Sequence, residues 1–427
     1  MREMKDSGIE WIGEIPQTWK LNRIKYAFNI INGYPFQSSK YSDDGIRVIR
    51  ISDVEDDYLS DKDKRFYPES FRMQIGDALL RSDDILVTLT GYLGKCYLVT
   101  CKDSNLGLNQ RVGALRLKGC LYDVSYMKRI IQCEPFRKEM ELSSNGSAQL
   151  NMSNEWLKNN SIPCPSLNEQ HLIASFLDTK CAEIDALSAD IQSEIDTLEA
   201  YKRSVITEAV TKGLDKNAPM KYSGIQWVGN VPQHWLVEKV KYHLMRYEPR
   251  NPGNQQVLSV YREYGVIPKD SRDDNHNVTS EDTSKYKYVK PGNLVINKMK
   301  AWQGSMGVSD YEGIVSPAYF IYHFTDKILV PKYLHYLFRS CYKDEFRRIS
   351  GGIREGQWDL SPEAFANTLI LLPPVEEQLA IIEYVDDKTY EVEAIIAQKQ
   401  EQLAVLADYK KSIIYEYVTG KKEVPVA

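Results

Sequence analysis

Residues 7–19 read SGIEWIGEIPQTW, and residues 223–235 read SGIQWVGNVPQHW. Ser7, Gly8, Ile9, Trp11, Gly13, Pro16, Gln17 and Trp19 recur as Ser223, Gly224, Ile225, Trp227, Gly229, Pro232, Gln233 and Trp235. Tryptophan is rare, so two at one spacing, repeated 216 positions later, mark an internal duplication. Solenoid repeats have periods of about 20–50 residues. A period this long means two copies of a domain. The chain of 427 residues has room for them, at roughly 100–200 residues per domain.

A second repeat follows the first. LNEQHLIASFLDTK begins at Leu167 and VEEQLAIIEYVDDK at Val375, and the two stretches align without a gap at a shift of 208 as far as YKRSVITEAVTKG and YKKSIIYEYVTGK. Both lack proline and are rich in Ala, Leu, Glu, Gln and Lys, the good helix formers. Pro163 and Pro165 precede the first stretch and Pro373 and Pro374 the second, which places a helix start after each pair. Ile184, Leu187, Ile191, Leu198 and Val205 follow a three/four spacing, and Val392, Ile395, Leu406 and Ile413 occupy matching places. This predicts a narrow coiled-coil seam, interrupted by Glu194 and Lys399. Helices of about 35–45 residues would span roughly 50–65 Å and could form a rigid spacer with a domain at each end. The order is tag, domain, helix, tag, domain, helix. Such a chain is circularly organised, imitates a two-fold dimer, and should bring its termini close.

The globular segments diverge far more than the helices. Ile85–Val87 and Leu294–Ile296 read as equivalent strands, each followed by a Gly-x-x-Gly turn at 91–94 and 304–307. A helix follows from Val124, with Pro135 set to kink or break it, and another from Lys332. Small-residue loops come next, SSNGS at 143–147 and SGG at 350–352. The fold class is α+β: two α+β domains separated by two long antiparallel helices, with an internal pseudo-two-fold repeat. The segments are 1–164, 165–215, 216–372 and 373–427.

Charge follows the same division. The net charge is −5. Residues 165–215 hold ten acidic and four basic side chains, and residues 373–422 hold ten and six, so the rest of the chain carries a surplus of +5. That asymmetry is more informative than the total. Six of the seven cysteines lie in the first half and none forms C-x-x-C, which fits reduced thiols in a cytoplasmic protein. No apolar run approaches a membrane span of about 18 residues, and MREMKDSGIEW lacks the apolar stretch of a secretory signal. The six histidines show no metal-ligand spacing, and no P-loop is present, GYLGK at 91–95 being too short for one. A close copy of the scaffold beside divergent domains suits a molecule holding two different readers at a set spacing. DNA is the linear text a two-fold dimer reads, in half-sites about one or more turns of ~34 Å apart.

SGIEWIGEIPQTW, the helix entries PCPSLNEQ and LPPVEEQ, and YKRSVITEAVTKGLD together resemble the specificity subunit of type I restriction–modification systems. The resemblance covers essentially the whole chain, including the repeat order. It implies two target-recognition domains that each read one half of an asymmetric bipartite site on double-stranded DNA. It implies that the helices set the spacer and, with their flanks, dock two methyltransferase subunits, to which restriction subunits add translocation and cleavage. It implies no catalysis by this chain. The Asn/Asp-Pro-Pro-aromatic methyltransferase motif is absent, Pro373-Pro374 belonging to a helix entry. S-adenosylmethionine, ATP and Mg would sit on the partner subunits, with no cofactor or metal on this chain and no membrane.

Base edges favour Arg, Lys, Asn and Gln, and phosphates favour Lys and Arg. On that chemistry the candidates in the first domain are Arg47, Arg50, Lys95, Asn109, Gln110 and Arg111. In the second they are Arg262, Lys298, Lys300, Trp302, Gln303, Arg354 and Gln357. Partner docking is assigned to Trp11, Trp19, Trp227, Trp235, Tyr201 and Tyr409, with the tryptophans anchoring the tags against the helix ends, because what both halves share cannot explain two different half-sites. Competing readings are a stand-alone pseudo-dimeric DNA-binding protein, a coiled-coil adaptor, and an autonomous enzyme, which would need a duplicated acidic or Asn-Pro-Pro cluster.

Overall fold

The proline pairs open two uninterrupted helices. The structure is a computed structural model that describes residues 2–144, 152–253, 255–262, 264–271, 282–352 and 358–425. The first long helix runs Leu167–Lys212 and the second Val375–Val418, 46 and 44 residues. Each starts just after prolines, where the first N–H groups of a helix lack intrahelical acceptors in any case. Each ends at a glycine in the left-handed region, Gly213 (φ 73°) and Gly420 (φ 74°), a conformation other residues adopt only at a cost.

The chain forms two compact units, one of residues 1–192 with 400–427, the other of residues 193–399. Each long helix is therefore shared between the two units. In the first unit the two helices run antiparallel, with Lys410 reaching Asp185 at 2.7 and 2.8 Å. The matching pair in the second unit is Lys202–Glu393 at 3.1 Å. Glu194 and Lys399, the two expected interruptions of the apolar seam, are partners of each other at 2.5 Å, with Lys399 in the seam and Glu194 beside it. The seam departs from the expected line at two positions. Leu187 and Ile395 are 49% and 42% exposed, while Ile195 and Ile396 are buried. The inward positions run Ile184, Ile191, Ile195, Leu198 and Val392, Ile396, Lys399, Leu406, the strict three/four spacing of a two-stranded seam.

The termini meet, as the circular order requires: Arg2 Nε lies 2.7 Å from Glu423. In the first unit the buried core joins Trp11, Ile15 and Trp19 of the first tag to Ile173 and Leu177 of the first helix and to Ile413, Tyr417 and Val418 of the second. In the second unit Val231 and Trp235 pack with Ala209 and Val210 of the first helix and Ile381 and Val385 of the second. Each unit is thus completed by the end of one long helix and the start of the other.

The divergent domains share one topology. Strand Met4–Asp6 pairs with Glu14–Pro16 in the first tag, and Met220–Tyr222 with Asn230–Pro232 in the second. The central antiparallel sheet of the first unit has the order Phe28–Asn32, Val112–Leu117, Ile85–Thr88, Cys96–Leu98. That of the second has the order Leu244–Tyr247, Tyr319–Phe324, Leu294–Asn297, Met306–Val308. The helix from Val124 ends at Gln132, and another runs Glu134–Ser143 with Pro135 in its first turn. Its counterpart is broken as well, into Pro331–Cys341 and Lys343–Arg348.

The two units part company in their outer layers. The first has a three-stranded sheet in the order Phe66–Tyr67, Ile46–Ile49, Leu106–Leu108, with one parallel pairing. The second has two separate hairpin-like pairs, Leu258–Tyr261 with Gly265–Pro268 and Lys287–Val289 with Gly313–Val315. Each outer layer has its own apolar cluster, around Val48 and Tyr67 or around Val260 and Val289.

All seven cysteines are free; four are buried and Cys101 and Cys120 are exposed. Burial pushes the Cys96 and Cys133 thiols up to about 12, which leaves them unreactive packing groups. No helix among the described residues is long and apolar enough to cross a membrane.

Candidate nucleic-acid interface and the joints behind it

The Glu-Gln pair at each helix entry has a structural task. Gln170 is fully buried; its amide donates to the carbonyls of Leu121 (3.2 Å) and Pro165 (3.1 Å), and its Oε1 accepts from the Asp123 N–H (2.9 Å). Gln378, also fully buried, repeats this on Ile328 (2.8 Å), Pro373 (2.9 Å) and Val330 (2.8 Å). Each glutamine ties the loop ahead of a domain helix to the start of a long helix. It also satisfies backbone groups that would otherwise be buried without partners.

A second duplicated contact closes the other side. Tyr126 donates to the Val418 carbonyl at 2.9 Å, and Tyr333 to the Val210 carbonyl at 3.1 Å. Burial drives both phenols well above their ordinary pKa, so both remain donors. The carbonyls lie at the last turn of a long helix, where no intrahelical donor is available. Lysines from swapped sequence positions then grip the tags: Lys421 reaches the Ile12 carbonyl (2.5 Å) and Lys212 the Val228 carbonyl (3.1 Å).

These joints consume half of the six aromatic residues assigned to docking. Trp11, Trp19 and Trp235 are 6%, 1% and 0% exposed. They close the framework core and offer a partner no surface, which corrects their assignment as docking residues. Their apolar area is worth more inside, since a buried tryptophan removes a large surface from water. Trp227, Tyr201 and Tyr409 are exposed. The joints differ in one detail: the Trp19 indole N–H donates to Glu169 at 3.0 Å, whereas Glu377 is taken by His234 at 2.7 Å.

The candidate reading residues separate into two groups. Arg47 lies 3.0 Å from Asp61 and donates to the Ser60 carbonyl. Arg50 binds Asp53 and Asp63. Both guanidinium groups are largely covered and neutralised within the 50–65 loop, so they shape that loop and are not free for phosphate. Lys298 is paired with Asp359 at 3.0 Å, as Lys95 is with Glu55 at 2.5 Å, and both lysine side chains stay about one third exposed, unlike the two arginines. Arg354 and Gln357 lie outside the described residues.

The others gather where the Gly-x-x-Gly turn meets the outer layer. In the first unit a cleft of about 250 Å³ lies between residues 51–55 and the 88–95 turn, with Lys95 and Arg111 in its wall. Gln110 and Arg111 are exposed, and Asn109 holds their turn through a 3.4 Å bond from the Arg111 N–H to its Oδ1. In the second unit Arg262 donates to Gln303, joining two candidates, and Lys300 is exposed beside them. Trp302 packs on Trp358 with centroids 5.3 Å apart.

Sequence reasoning missed Glu55 and Tyr92 in the first cleft, and Arg347, which lies 5.9 Å from the Trp358 ring. Tyr92, at 82% exposure on the tip of a glycine turn, was visible as a large aromatic between two turn glycines. Glu55 gave no signal, because an acid in a basic domain reads as local neutralisation.

The turns rest on fixed supports. His335 accepts from the Val308 N–H at 3.2 Å, and burial pushes its pKa down to about 4, so it sits neutral beneath the second turn. In the first unit, burial alone would raise the Asp57 carboxyl, but Lys128 and Arg129 hold it below the usual carboxylate range.

The family model for the type I restriction modification DNA specificity domain matches residues 16–197. The type I restriction enzyme MjaVIII specificity subunit of Methanocaldococcus jannaschii is 28% identical over 204 residues, 47% of each chain. The EcoKI specificity subunit of Escherichia coli K12 is 20% identical, with 96% of this chain and 90% of that one covered. The EcoBI specificity subunit of Escherichia coli is 22% identical, with 98% and 90% covered. A chain from a structural study of complex assembly in the type I R-M system superposes with a TM-score of 0.69 at 15% identity, covering 96% of this chain and 99% of that one. The HsdS subunit from Thermoanaerobacter tengcongensis gives 0.51 at 15% identity, covering 98% and 100%. At that identity the structural likeness speaks for the fold alone.

Proposed function

Because this chain belongs to the type I restriction–modification specificity-subunit family, we propose that it reads the two halves of an asymmetric bipartite DNA site and docks two methyltransferase subunits that modify adenine. It is the non-catalytic DNA-recognition component of such a system. The observation that carries the reading is the contrast between layers. The framework is duplicated down to single hydrogen bonds, Gln170 with Gln378 and Tyr126 with Tyr333. The outer layers, where the candidate reading residues collect, differ in strand pairing. Equivalent frameworks suit equivalent methyltransferase partners, and unlike outer layers suit unlike half-sites. Flipping and methylating adenine need a pocket for the extruded base and a methyl donor, which this proposal assigns to the methyltransferase. S-adenosylmethionine, and ATP with Mg where restriction subunits join, are assigned to the partners as well.

The test is methylome sequencing of cells expressing this chain with its cognate methyltransferase subunit, against cells lacking only this chain. The expected result is a bipartite motif with modified adenine on both strands, present only with the chain. No new motif, with the methyltransferase demonstrably bound and folded, sinks the proposal and favours an adaptor. The spacer role is tested in the same assay. Inserting residues near Ile191, inside the seam, should change the number of unread base pairs, and inserting them into a domain loop should not. An unchanged spacing after the seam insertion counts against the helices as the spacer.

A further inference from the structure

The cleft of the first unit is built with more care than a surface loop needs. Glu55 Oε2 and Lys95 Nζ meet at 2.5 Å across it, joining the 50–65 loop to the glycine turn. Lys95 also lies 5.5 Å from the ring of Tyr92, which stands 82% exposed at the turn's tip. The turn is locked by Thr88, whose hydroxyl donates to the Tyr92 carbonyl (2.6 Å) and accepts from the Lys95 N–H (3.0 Å).

The loop that carries Glu55 is held harder still. Asp57 adopts a positive φ of 66°, which costs free energy in a non-glycine residue. Its carboxylate is held by Lys128 (2.9 Å) and the Gln132 amide (3.1 Å). Arg137 takes Asp56 in a bidentate grip at 2.9 and 2.6 Å. A half-covered ionic network of this kind adds little net stability, because desolvation offsets the attraction. What it does supply is a rigid place for the next residue, Glu55. Rigid presentation is what a recognition contact needs.

The second unit has the same construction with different chemistry. Gln132 and Arg339 occupy equivalent helix positions, 207 residues apart. Where Gln132 grips Asp57, Arg339 grips the Arg262 carbonyl at 2.7 Å. The loop so held presents Arg262, and its partner across the gap is Gln303 of the second glycine turn. Each unit therefore bridges a clamped loop to its glycine turn with one polar pair, an acid and an amine in the first and a guanidinium and an amide in the second.

Resting on the DNA-reading proposal above, we infer that these bridging pairs are the base-reading elements of the two domains. Glu55 with Lys95 sets an acceptor beside a donor. That pair matches a major-groove edge with an exocyclic amino group next to an acceptor, as adenine presents with N6 and N7, or a C·G pair with N4 and O6. Arg262 with Gln303 presents mostly donors, which match the acceptor edge of guanine. Tyr92 and Arg111 flank the first pair and supply stacking and phosphate contacts.

The experiment uses the full chain bound to its methyltransferase, and competition binding against duplexes substituted at each position of the bipartite site. Glu55→Ala and Lys95→Met should both relax discrimination by about tenfold or more at a single position of one half-site. Gln303→Ala should do the same at one position of the other half-site. Three outcomes would overturn the inference: discrimination unchanged at every position, even weakening across both halves, or relaxation of the same half by Glu55→Ala and Gln303→Ala. Wild-type complex without a bipartite preference would instead defeat the underlying function, so the two failures are distinguishable.

Discussion

Replacing Trp19 by alanine is expected to lower the stability of the chain by about 3–5 kcal/mol, the range for truncating a buried aromatic residue. The indole is 1% exposed and sits where three parts of the chain converge. Its N–H donates to Glu169 at the entry of the first long helix, and the Arg2 guanidinium lies 5.6 Å from its ring. Its far edge abuts Gly420, where an added Cβ would fall 2.9 Å from the ring and 2.6 Å from Pro16. Backbone hems the ring on that side, so the site cannot collapse to fill the void, and the cost should sit toward the top of the range. Glu169 would keep its 2.6 Å ion pair with Arg2, so the loss would be mainly one of packing. Equilibrium urea denaturation of the full chain measures it. A loss below about 1 kcal/mol would mean that the tag is not part of the cooperative core.

Gln170→Leu should be comparably severe for a different reason. Leucine nearly matches glutamine in volume, so no large cavity forms. The substitution instead leaves the Asp123 N–H and the Leu121 and Pro165 carbonyls facing an apolar side chain. An unsatisfied buried polar group costs about 1–3 kcal/mol, so the total is expected at about 3–5 kcal/mol. Gln378→Leu should cost about the same, because its three partners are the counterparts of those of Gln170. Denaturation of both variants gives the magnitude, and hydrogen exchange at the Asp123 and Val330 amides gives the cause. Unchanged amide protection in a destabilised variant would place the damage elsewhere. Matching losses at the two sites would also show that the helix entries are energetically equivalent, as a symmetric docking framework requires.

The candidate interface was only partly legible. Lys95, Arg111 and Gln303 were chosen because the glycine turns could be seen in the sequence and the chemistry of base edges is known, and the structure places Lys95 and Arg111 in one cleft and Gln303 against Arg262. Arg47 and Arg50 were chosen on the same chemistry and lie in loop-internal ion pairs with Asp61, Asp53 and Asp63. Nothing local distinguishes an arginine held by a neighbouring acid from one left for a phosphate. The distinction depends on how the loop folds back. Glu194 and Lys399 illustrate the same limit: each reads as a flaw in its own helix, and the two neutralise each other only when the antiparallel register brings them together.

The duplication, the two long helices, the circular order and the α+β class are legible along the chain. These rest on periodicity, on helix-forming composition and on proline and glycine boundaries, all of which act within a few residues along the chain. The tertiary structure decided how the pieces are shared: each unit takes the start of one long helix and the end of the other, with Gln170 and Tyr126, or Gln378 and Tyr333, as the fasteners. It also decided that three of the four tag tryptophans are interior and that Glu55 faces Lys95. Burial and pairing are set by residues that approach from distant parts of the chain. Their free energy depends on which groups lose water together, and that is a property of the assembled core and not of any local stretch.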